Sequence, residues 1–100
     1  MLELALSQAR ATAGTVVHGC VHAPDVTVPV VVELVRLERS PAGSASYRVA
    51  SAEPADDGTF ALVVPEDTPP DVEGRDCSLH YSLRAFAGPH EVREAFSVAP

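Results

Sequence analysis

Apolar and polar residues alternate with a period of two along most of this chain. Such segments, interrupted at short intervals by Pro, Gly, Asp and Ser, are typical of β-sandwiches and barrels. The pattern predicts about seven strands, over residues 2–6, 16–22, 28–38, 47–50, 59–64, 79–85 and 92–98. We therefore predict an all-β fold, an immunoglobulin-like antiparallel β-sandwich, in a single domain that covers residues 1–100.

The first segment permits two interpretations. Leu2, Leu4 and Leu6 alternate with polar or small residues, as on the core face of a strand. Continued through Ala13, the same segment contains enough alanine to form an amphipathic helix. Because every later element is predicted to be a strand, we favour the strand.

The longest predicted strand, residues 28–38, has apolar residues on both of its faces. Val32 and Leu34 belong to the core row, but Arg36 stands where the next core residue is expected. An arginine at that position predicts a β-bulge, or the end of burial, near Val35.

The opposite face of this strand carries Val31, Glu33 and Val35. A sheet with one solvated face alternates cleanly, so apolar residues on this side predict that the second face is covered too. These three residues are our candidate protein-binding site. We expect association through this face or through a sheet edge, with a partner protein or as a homo-oligomer. The alternative is that the 65–76 segment, or a bulge near Arg36, covers the valines.

The predicted strands are separated by segments rich in turn-forming residues. Pro24 and Asp25 break the second strand, residues 40–44 form a loop, and Asp57 with Gly58 suits a turn with positive φ. The longest irregular segment, 65–76, contains three prolines that cannot donate to a β-ladder. We predict a loop there.

Composition narrows the classes of partner. With 46 % apolar residues the chain is typical of a globular domain. Its formal net charge is −7, and its seven basic residues are all arginines scattered singly along the sequence. Nucleic acids and anionic membranes require clustered positive charge, so neither is an expected partner. The chain contains no Lys, Asn or Ile, three residues with AT-rich codons, which indicates a high-GC bacterial source.

The sequence also bears on location and redox state. The N-terminus lacks a basic segment ahead of an apolar stretch, and no segment approaches the ~20 apolar residues of a membrane span. We therefore expect a cytoplasmic protein without a membrane span. The two cysteines, Cys20 and Cys77, are too few for a disulfide-stabilised scaffold, and we predict two thiols not bonded to each other.

Three stretches of the chain resemble the arrestin-like family, specifically the small N-terminal half-domain of arrestin-related and bacterial sporulation-control proteins. Residues 14–21 (GTVVHGCV) are similar to the family's glycine-entered second strand, and 96–98 (FSV) to its last strand. The most specific likeness is FALVVPEDTPP at 60–70 followed by LHYSLRA at 79–85. These match the family's order of strand, proline-rich crossing loop and Tyr-x-Leu-x-Ala strand.

The arrestin-like resemblance implies an immunoglobulin-like sandwich that acts as a non-catalytic protein-interaction or scaffold module. Proteins of that family usually carry a second sandwich or a C-terminal extension, and their N-terminal halves tend to be longer. A mechanism that depends on rotation between two domains is therefore not carried over to this chain.

A second resemblance is to the transthyretin-like and collagen-adhesin-repeat sandwiches. It rests on Gly19, Cys20 and Val21 and on residues 57–62 (DGTFAL), and it implies a structural spacer module. Those sandwiches lack the block from Pro69 to Tyr81, so we favour the arrestin-like resemblance.

One strand carries a set of possible metal ligands. His18, Cys20 and His22 share a face, and a thiolate with two imidazoles is a ligand set that zinc uses. Same-face neighbours on a strand are ~6.5–7 Å apart, so the two histidines are ~13 Å apart at Cα, too far to close around one ion. We assign no metal site.

Catalytic and cation-binding patterns are incomplete. Ser78, His80 and Ser82 share an outward face, but no third group that orients the histidine is visible in the sequence. The carboxylates of the 65–76 segment lack the regular spacing and glycine turn of a calcium loop. No glycine-rich phosphate loop precedes a helix. We predict no catalytic residues and no cofactor, with a small metal-dependent enzyme as a remote alternative.

Overall fold

The structure is a computed structural model that describes residues 2–24 and 26–100. Met1 lies outside the described residues, as does Asp25 of the predicted break after the second strand. The regular elements in the described part are nine strands: β1 (Glu3–Leu6), β2 (Arg10–Thr12), β3 (Val16–His22), β4 (Val31–Ser40), β5 (Gly43–Ala52), β6 (Thr59–Val63), β7 (Val72–Glu73), β8 (Ser78–Ala87) and β9 (His90–Ala99).

The strands form two sheets that face each other. The small sheet is antiparallel with the order β1-β3-β6. The large sheet has the order β2-β9-β8-β4-β5, and β7 pairs with β8. Two facing sheets of this kind make an immunoglobulin-like β-sandwich, as predicted. One pair departs from the antiparallel expectation: after β1 the chain crosses to the other sheet, where β2 runs parallel to β9.

The seven predicted strands are all present, and two more accompany them. The additional strands, β2 and β7, contain only three and two residues, which is too short for alternation to reveal them. β7 lies inside segment 65–76, so the prediction of an uninterrupted loop there is wrong at Val72–Glu73.

Several boundaries also differ from the predicted ones. The first segment is a strand, which excludes the helical alternative. The longest predicted strand begins at Val31 rather than Val28. The predicted loop at 40–44 is a tight hairpin turn instead, because Ser40 pairs directly with Gly43. The turn-forming residues were identified correctly, but β4 and β5 remain paired closer to the turn than the sequence predicted.

The core lies between the two sheets and consists of the predicted period-two rows, with alanines from β2 and the end of β8. The buried residues of this core cluster are Leu2, Ala11, Val17, Val21, Val32, Leu34, Phe60, Leu62, Val64, Tyr81, Leu83, Ala85, Ala87, Phe96 and Val98. Gly19 of β3 also belongs to this inward row. A glycine is required there because the ring of its cross-strand partner Phe60 fills the space that a side chain would occupy. A Cβ at position 19 would lie 2.5 Å from Cζ of Phe60.

The predicted bulge near Val35 is confirmed. β4 keeps one continuous register with β8. Its register with β5 shifts after Leu34, which pairs with Ala50, whereas Val35 pairs with Arg48. The skipped residue, Val49, is therefore the extra residue of a β-bulge on the outer strand of the hairpin.

Tyr81 joins the segment before β7 to the large sheet. Its hydroxyl donates a 2.6 Å hydrogen bond to the carbonyl oxygen of Pro69, twelve residues earlier. A tyrosine on the penultimate strand that bonds back to the preceding backbone is similar to the tyrosine corner of immunoglobulin-like domains, in which the acceptor lies closer in sequence. Burial of the phenol raises the pKa of Tyr81 above its usual value.

The Tyr81→Phe substitution is expected to lower the free energy of unfolding by about 1 kcal/mol at neutral pH, because the Pro69 carbonyl loses its donor. A raised folded-state pKa means that the stabilisation is present below pH 10.0, the usual value, and is lost as pH rises through the folded-state pKa. Urea denaturation at neutral and alkaline pH should therefore show the difference between wild type and variant shrinking above pH 10.0.

Tyr47→Phe is the matched control, because Tyr47 is exposed on the same sheet. Equal losses in the two variants would contradict the assigned role of the Tyr81 hydroxyl. Tyr81 is the only tyrosine left in the control variant. Its phenolate absorbance at alkaline pH therefore reports the raised pKa directly.

Candidate functional site

The core face of the large sheet extends beyond the small sheet. β4, β5, β8 and β9 have ten residues each, whereas β1, β3 and β6 have four, seven and five. Leu34 and Leu83 are completely buried, but Glu38 and Leu79, further along the same strands, are only half-buried. We call this uncovered part, residues 36–40, 43–47 and 78–80, the overhang.

Arg36 lies at the start of the overhang. Its guanidinium carbon is 5.0 Å from the centroid of the Tyr47 ring on β5, within the range of a cation–π contact. Its Nε lies 3.1 Å from Oε1 of Glu38. A half-buried arginine stacked on a tyrosine thus follows the aliphatic core row at the place where the small sheet no longer covers the large one. Arg36 interrupts the apolar row in the sequence because its position is no longer enclosed between the two sheets.

The overhang forms the floor of a cleft of about 510 Å³. Its apolar lining includes Leu79, Tyr47 and Val72, and the last two are 46 % and 45 % exposed. Its polar lining includes Arg39, three serines and Glu38, which is paired with Arg36. An exposed tyrosine and an exposed valine on a sheet are suited to contact with another protein.

The predicted site residues lie on the outer face of the large sheet, the side away from the small sheet. Val31, Glu33 and Val35 alternate with core residues, and their partners on β8 alternate in the same way. Val31 is half-buried, whereas Glu33 and Val35 are buried, so these three residues offer little surface themselves. Protein binding through them stays a prediction, and the exposed area around them belongs to neighbouring arginines.

Five charged side chains form an alternating row across this outer face. Nη1 of Arg48 on β5 lies 3.6 Å from Oε2 of Glu33 on β4. Nη1 of Arg84 on β8 donates a 3.1 Å hydrogen bond to Oε1 of the same glutamate. Nε of Arg84 lies 3.1 Å from Oε1 of Glu91 on β9, and Nε of Arg93 donates a hydrogen bond to that oxygen. We call these five residues the arginine ladder.

Two interactions stabilise the ladder: Arg84 stacks on an aromatic ring, and Glu91 is held in its ionised form by its arginine partners. The guanidinium of Arg84 lies over the ring of Phe86, 4.1 Å from its centroid. The hydrogen bond from Arg93, together with the charge of Arg84, lowers the pKa of Glu91 below its usual value. Glu91 therefore stays ionised to lower pH than an isolated glutamate does.

The acidic and basic members of the ladder differ in exposure. The Glu33 side chain is 10 % exposed, whereas those of Arg48 and Arg93 at the two ends are 68 % and 56 % exposed. The second carboxylate of the ladder, that of Glu91, is 37 % exposed, so the most exposed groups of the row are its two terminal guanidinium groups.

The other candidate clusters do not assemble. His18, Cys20 and His22 point outward from β3 on the small sheet. Within residues 2–24 and 26–100, no group of three or more His, Cys, Asp and Glu side chains could hold a metal ion. This applies to the β3 residues and equally to the carboxylates of segment 65–76. Cys20 and Cys77 are exposed free thiols.

His80 has an acidic neighbour that the sequence did not reveal. Oδ2 of Asp71 lies 3.8 Å from Nδ1 of His80, and Oδ1 of Asp71 accepts a 2.8 Å hydrogen bond from the Val98 backbone N–H. Ser78 and Ser82 are each two residues from the histidine along β8, which places them ~6.5–7 Å away. That spacing is between Cα atoms, and the side-chain contact that the structure gives for the imidazole is with Asp71.

The sequence analysis placed Glu33 on the outer face but missed the cleft and the arginines of the ladder, for the same reason. Tyr47 was assigned to a short strand and Val72 to a loop, and only the β7–β8 pairing brings Val72 beside the hairpin. The ladder arginines look scattered in sequence, although Arg84 and Glu33 are hydrogen-bonded across 51 positions. Arg36 was the one local signal, because it interrupts a core row.

The class of protein defined by these features is an immunoglobulin-like all-β sandwich with an uncovered core face on one side and an arginine-rich face on the other. The chain matches none of the protein-family models, and none of the curated proteins, with which it was compared. In the part of the chain that the structure describes, no helix has the length and apolar character needed to cross a bilayer.

Proposed function

We propose that this chain is a non-catalytic protein-binding module of arrestin-like type, which holds an apolar segment of a partner protein in the cleft over the overhang. The observation that carries the proposal is the uncovered core face, where Tyr47 and Val72 are each about half exposed. Burying the exposed half of each side chain would contribute about 1 kcal/mol per residue to binding.

The arrestin-like assignment rests on residues 60–70 and 79–85, the block that carries the resemblance. In the structure this block spans β6, the crossing segment tied down by Tyr81, and most of β8. Leu79 of the block lines the cleft, and Val72 between its two parts does so as well. The resemblance and the cleft therefore involve the same part of the chain.

The proposal includes a bacterial cytoplasmic setting and a protein as partner. The absence of Lys, Asn and Ile supports the bacterial source. Exposed free thiols at Cys20 and Cys77 fit a reducing compartment. The partner can also be a second copy of the chain, in which case the protein forms a homo-oligomer through a sheet edge or face.

Photo-crosslinking in the native cell tests this proposal. A benzophenone amino acid replaces Tyr47 in the cleft or, as the control, Val28, which is 45 % exposed and lies outside the cleft lining. We expect a discrete crosslinked product from position 47 and none of the same mass from position 28. Mass spectrometry of the product identifies the partner.

Val72→Glu is expected to reduce the crosslinked product at position 47 by about tenfold or more, because the interface would have to desolvate a carboxylate. Val28→Glu is the matched control, since both valines are 45 % exposed. An equal reduction by the control, or an equal yield of product from positions 28 and 47, would overturn the proposal.

A further inference from the structure

The arginines are concentrated on one face of the molecule. By register with their neighbours on adjacent strands, the outer face of the large sheet carries five of the seven: Arg10, Arg39, Arg48, Arg84 and Arg93. By register all five lie on the side of the sheet away from the small sheet, although Arg39, near the end of β4, also lines the cleft. The sequence does not reveal this grouping, because the five arginines belong to five different strands, β2, β4, β5, β8 and β9.

The same face carries few acids. Among strand residues, Glu33, Glu73 and Glu91 lie on it, so that its strand residues have a net charge of +2. The total charge is −7, which leaves −9 on the rest of the chain. The carboxylate of Asp71 also reaches this face, since its Oδ2 lies 3.8 Å from Nδ1 of His80. The strand residues of the outer face are therefore weakly basic, whereas the chain as a whole is acidic.

The ladder also prepares the basic face for binding. Ion pairs and the stacking on Phe86 restrain Arg84, and the carboxylates restrain Arg48 and Arg93 from below. Restrained guanidinium groups lose less conformational entropy when a partner binds. Their planar fork matches the two oxygens of a carboxylate.

We propose that this outer face is a second docking surface, which binds a cluster of surface carboxylates on a partner protein. Charge complementarity identifies the partner's chemistry, since Arg48 and Arg93 are 68 % and 56 % exposed, more than the carboxylates of Glu33 and Glu91 at 10 % and 37 %. A nucleic acid carries one charge per ~1.7 Å over a long distance and would extend onto the rest of the chain, which is acidic and repels it. An acidic patch on a protein is limited in area, as the basic face is.

Fluorescence anisotropy with a fluorescein-labelled poly-glutamate peptide tests the proposal on the full chain. At about 20 mM salt, where screening is weak, we expect saturable binding that disappears at about 500 mM. Replacing both Arg48 and Arg93 by alanine should weaken binding by about five- to tenfold. Arg75→Ala is the matched control, because Arg75 lies in the segment between β7 and β8 and should change binding less than about twofold.

Circular dichroism melting establishes that the double variant is folded. If it is not, Arg93→Ala alone serves, since that side chain is 56 % exposed and its loss leaves Arg84 paired with both glutamates. The proposal is overturned if wild type does not bind the peptide, or if Arg75→Ala weakens binding as much as the ladder variant does. Tighter binding of oligo-deoxythymidine or of phosphatidylglycerol vesicles than of poly-glutamate overturns it as well.

Discussion

Gly58→Ala is expected to lower the free energy of unfolding by about 3 kcal/mol or more. Gly58 has a φ of +87°, a conformation that L residues rarely adopt. A Cβ built there would overlap the carbonyl oxygen of Val21. Backbone strain alone accounts for about 1–3 kcal/mol, and the overlap adds to it because a backbone oxygen inside a sheet has little room to move.

The turn around Gly58 explains why relaxation is difficult. Its N–H donates to the Ala55 carbonyl and its carbonyl accepts from the Val21 N–H, both at 2.8 Å. Oδ1 of Asp57 accepts hydrogen bonds from the backbone N–H and the hydroxyl of Thr59, which lowers the pKa of Asp57. Moving Gly58 away from Val21 would strain these bonds together.

Gly43→Ala is the control that separates strain from steric overlap. Gly43 also has a positive φ, +130°, but a Cβ there would have no atom within 4 Å. Urea denaturation of both variants should show a clearly larger loss at position 58. Equal losses would mean that backbone strain alone sets the loss of unfolding free energy, and that the Val21 carbonyl moves aside without a measurable energetic cost.

Leu83→Ala is expected to cost about 2–5 kcal/mol, a large part of the 5–15 kcal/mol that typically stabilises a domain. Leu83 is completely buried at the middle of β8, opposite Leu34 of β4. Its truncation leaves a cavity between the two sheets. The urea midpoint should fall while the m value stays constant, because the surface exposed on unfolding hardly changes.

Leu37→Ala is the matched control for this prediction. Leu37 lies on the outer face of β4 opposite His80, and it is only half-buried. Its truncation opens no enclosed cavity, so we expect a loss of about 1 kcal/mol or less. A loss at Leu37 as large as at Leu83 would place the main apolar contact on the outer face of the large sheet rather than between the sheets.

The two proposed docking surfaces use alternate residues of the same strand. On β4, Arg36 and Glu38 lie on the core side of the large sheet, whereas Glu33 and Arg39 lie on its outer side, and Arg39 also lines the cleft. The bulge at Val49 leaves this alternation intact on β4, because the extra residue is on β5. The variants that test the cleft and those that test the arginine ladder share no residue, so each proposal is tested with the side chains of the other in place.

The sequence by itself determined the class of fold and most of the core. Strand alternation is a local property, since successive side chains of an extended chain point to opposite sides whatever the strand pairs with. Val17 with Val21, and Phe60 with Leu62, were therefore assigned correctly from periodicity alone. The positive φ of Gly58 is local in the same sense, because it follows from the turn chemistry of Asp57 and Gly58.

Only the tertiary structure decided which surfaces are available. Val31, Glu33 and Val35 were assigned correctly to the outer side of β4, but their burial depends on side chains from neighbouring strands, such as those of Arg48 and Arg84. The overhang depends on the relative lengths and placement of two sheets, and the ladder on a pairing that joins residues 51 positions apart. Such contacts depend on which strands become neighbours, and the pattern within a strand carries no information about its neighbour.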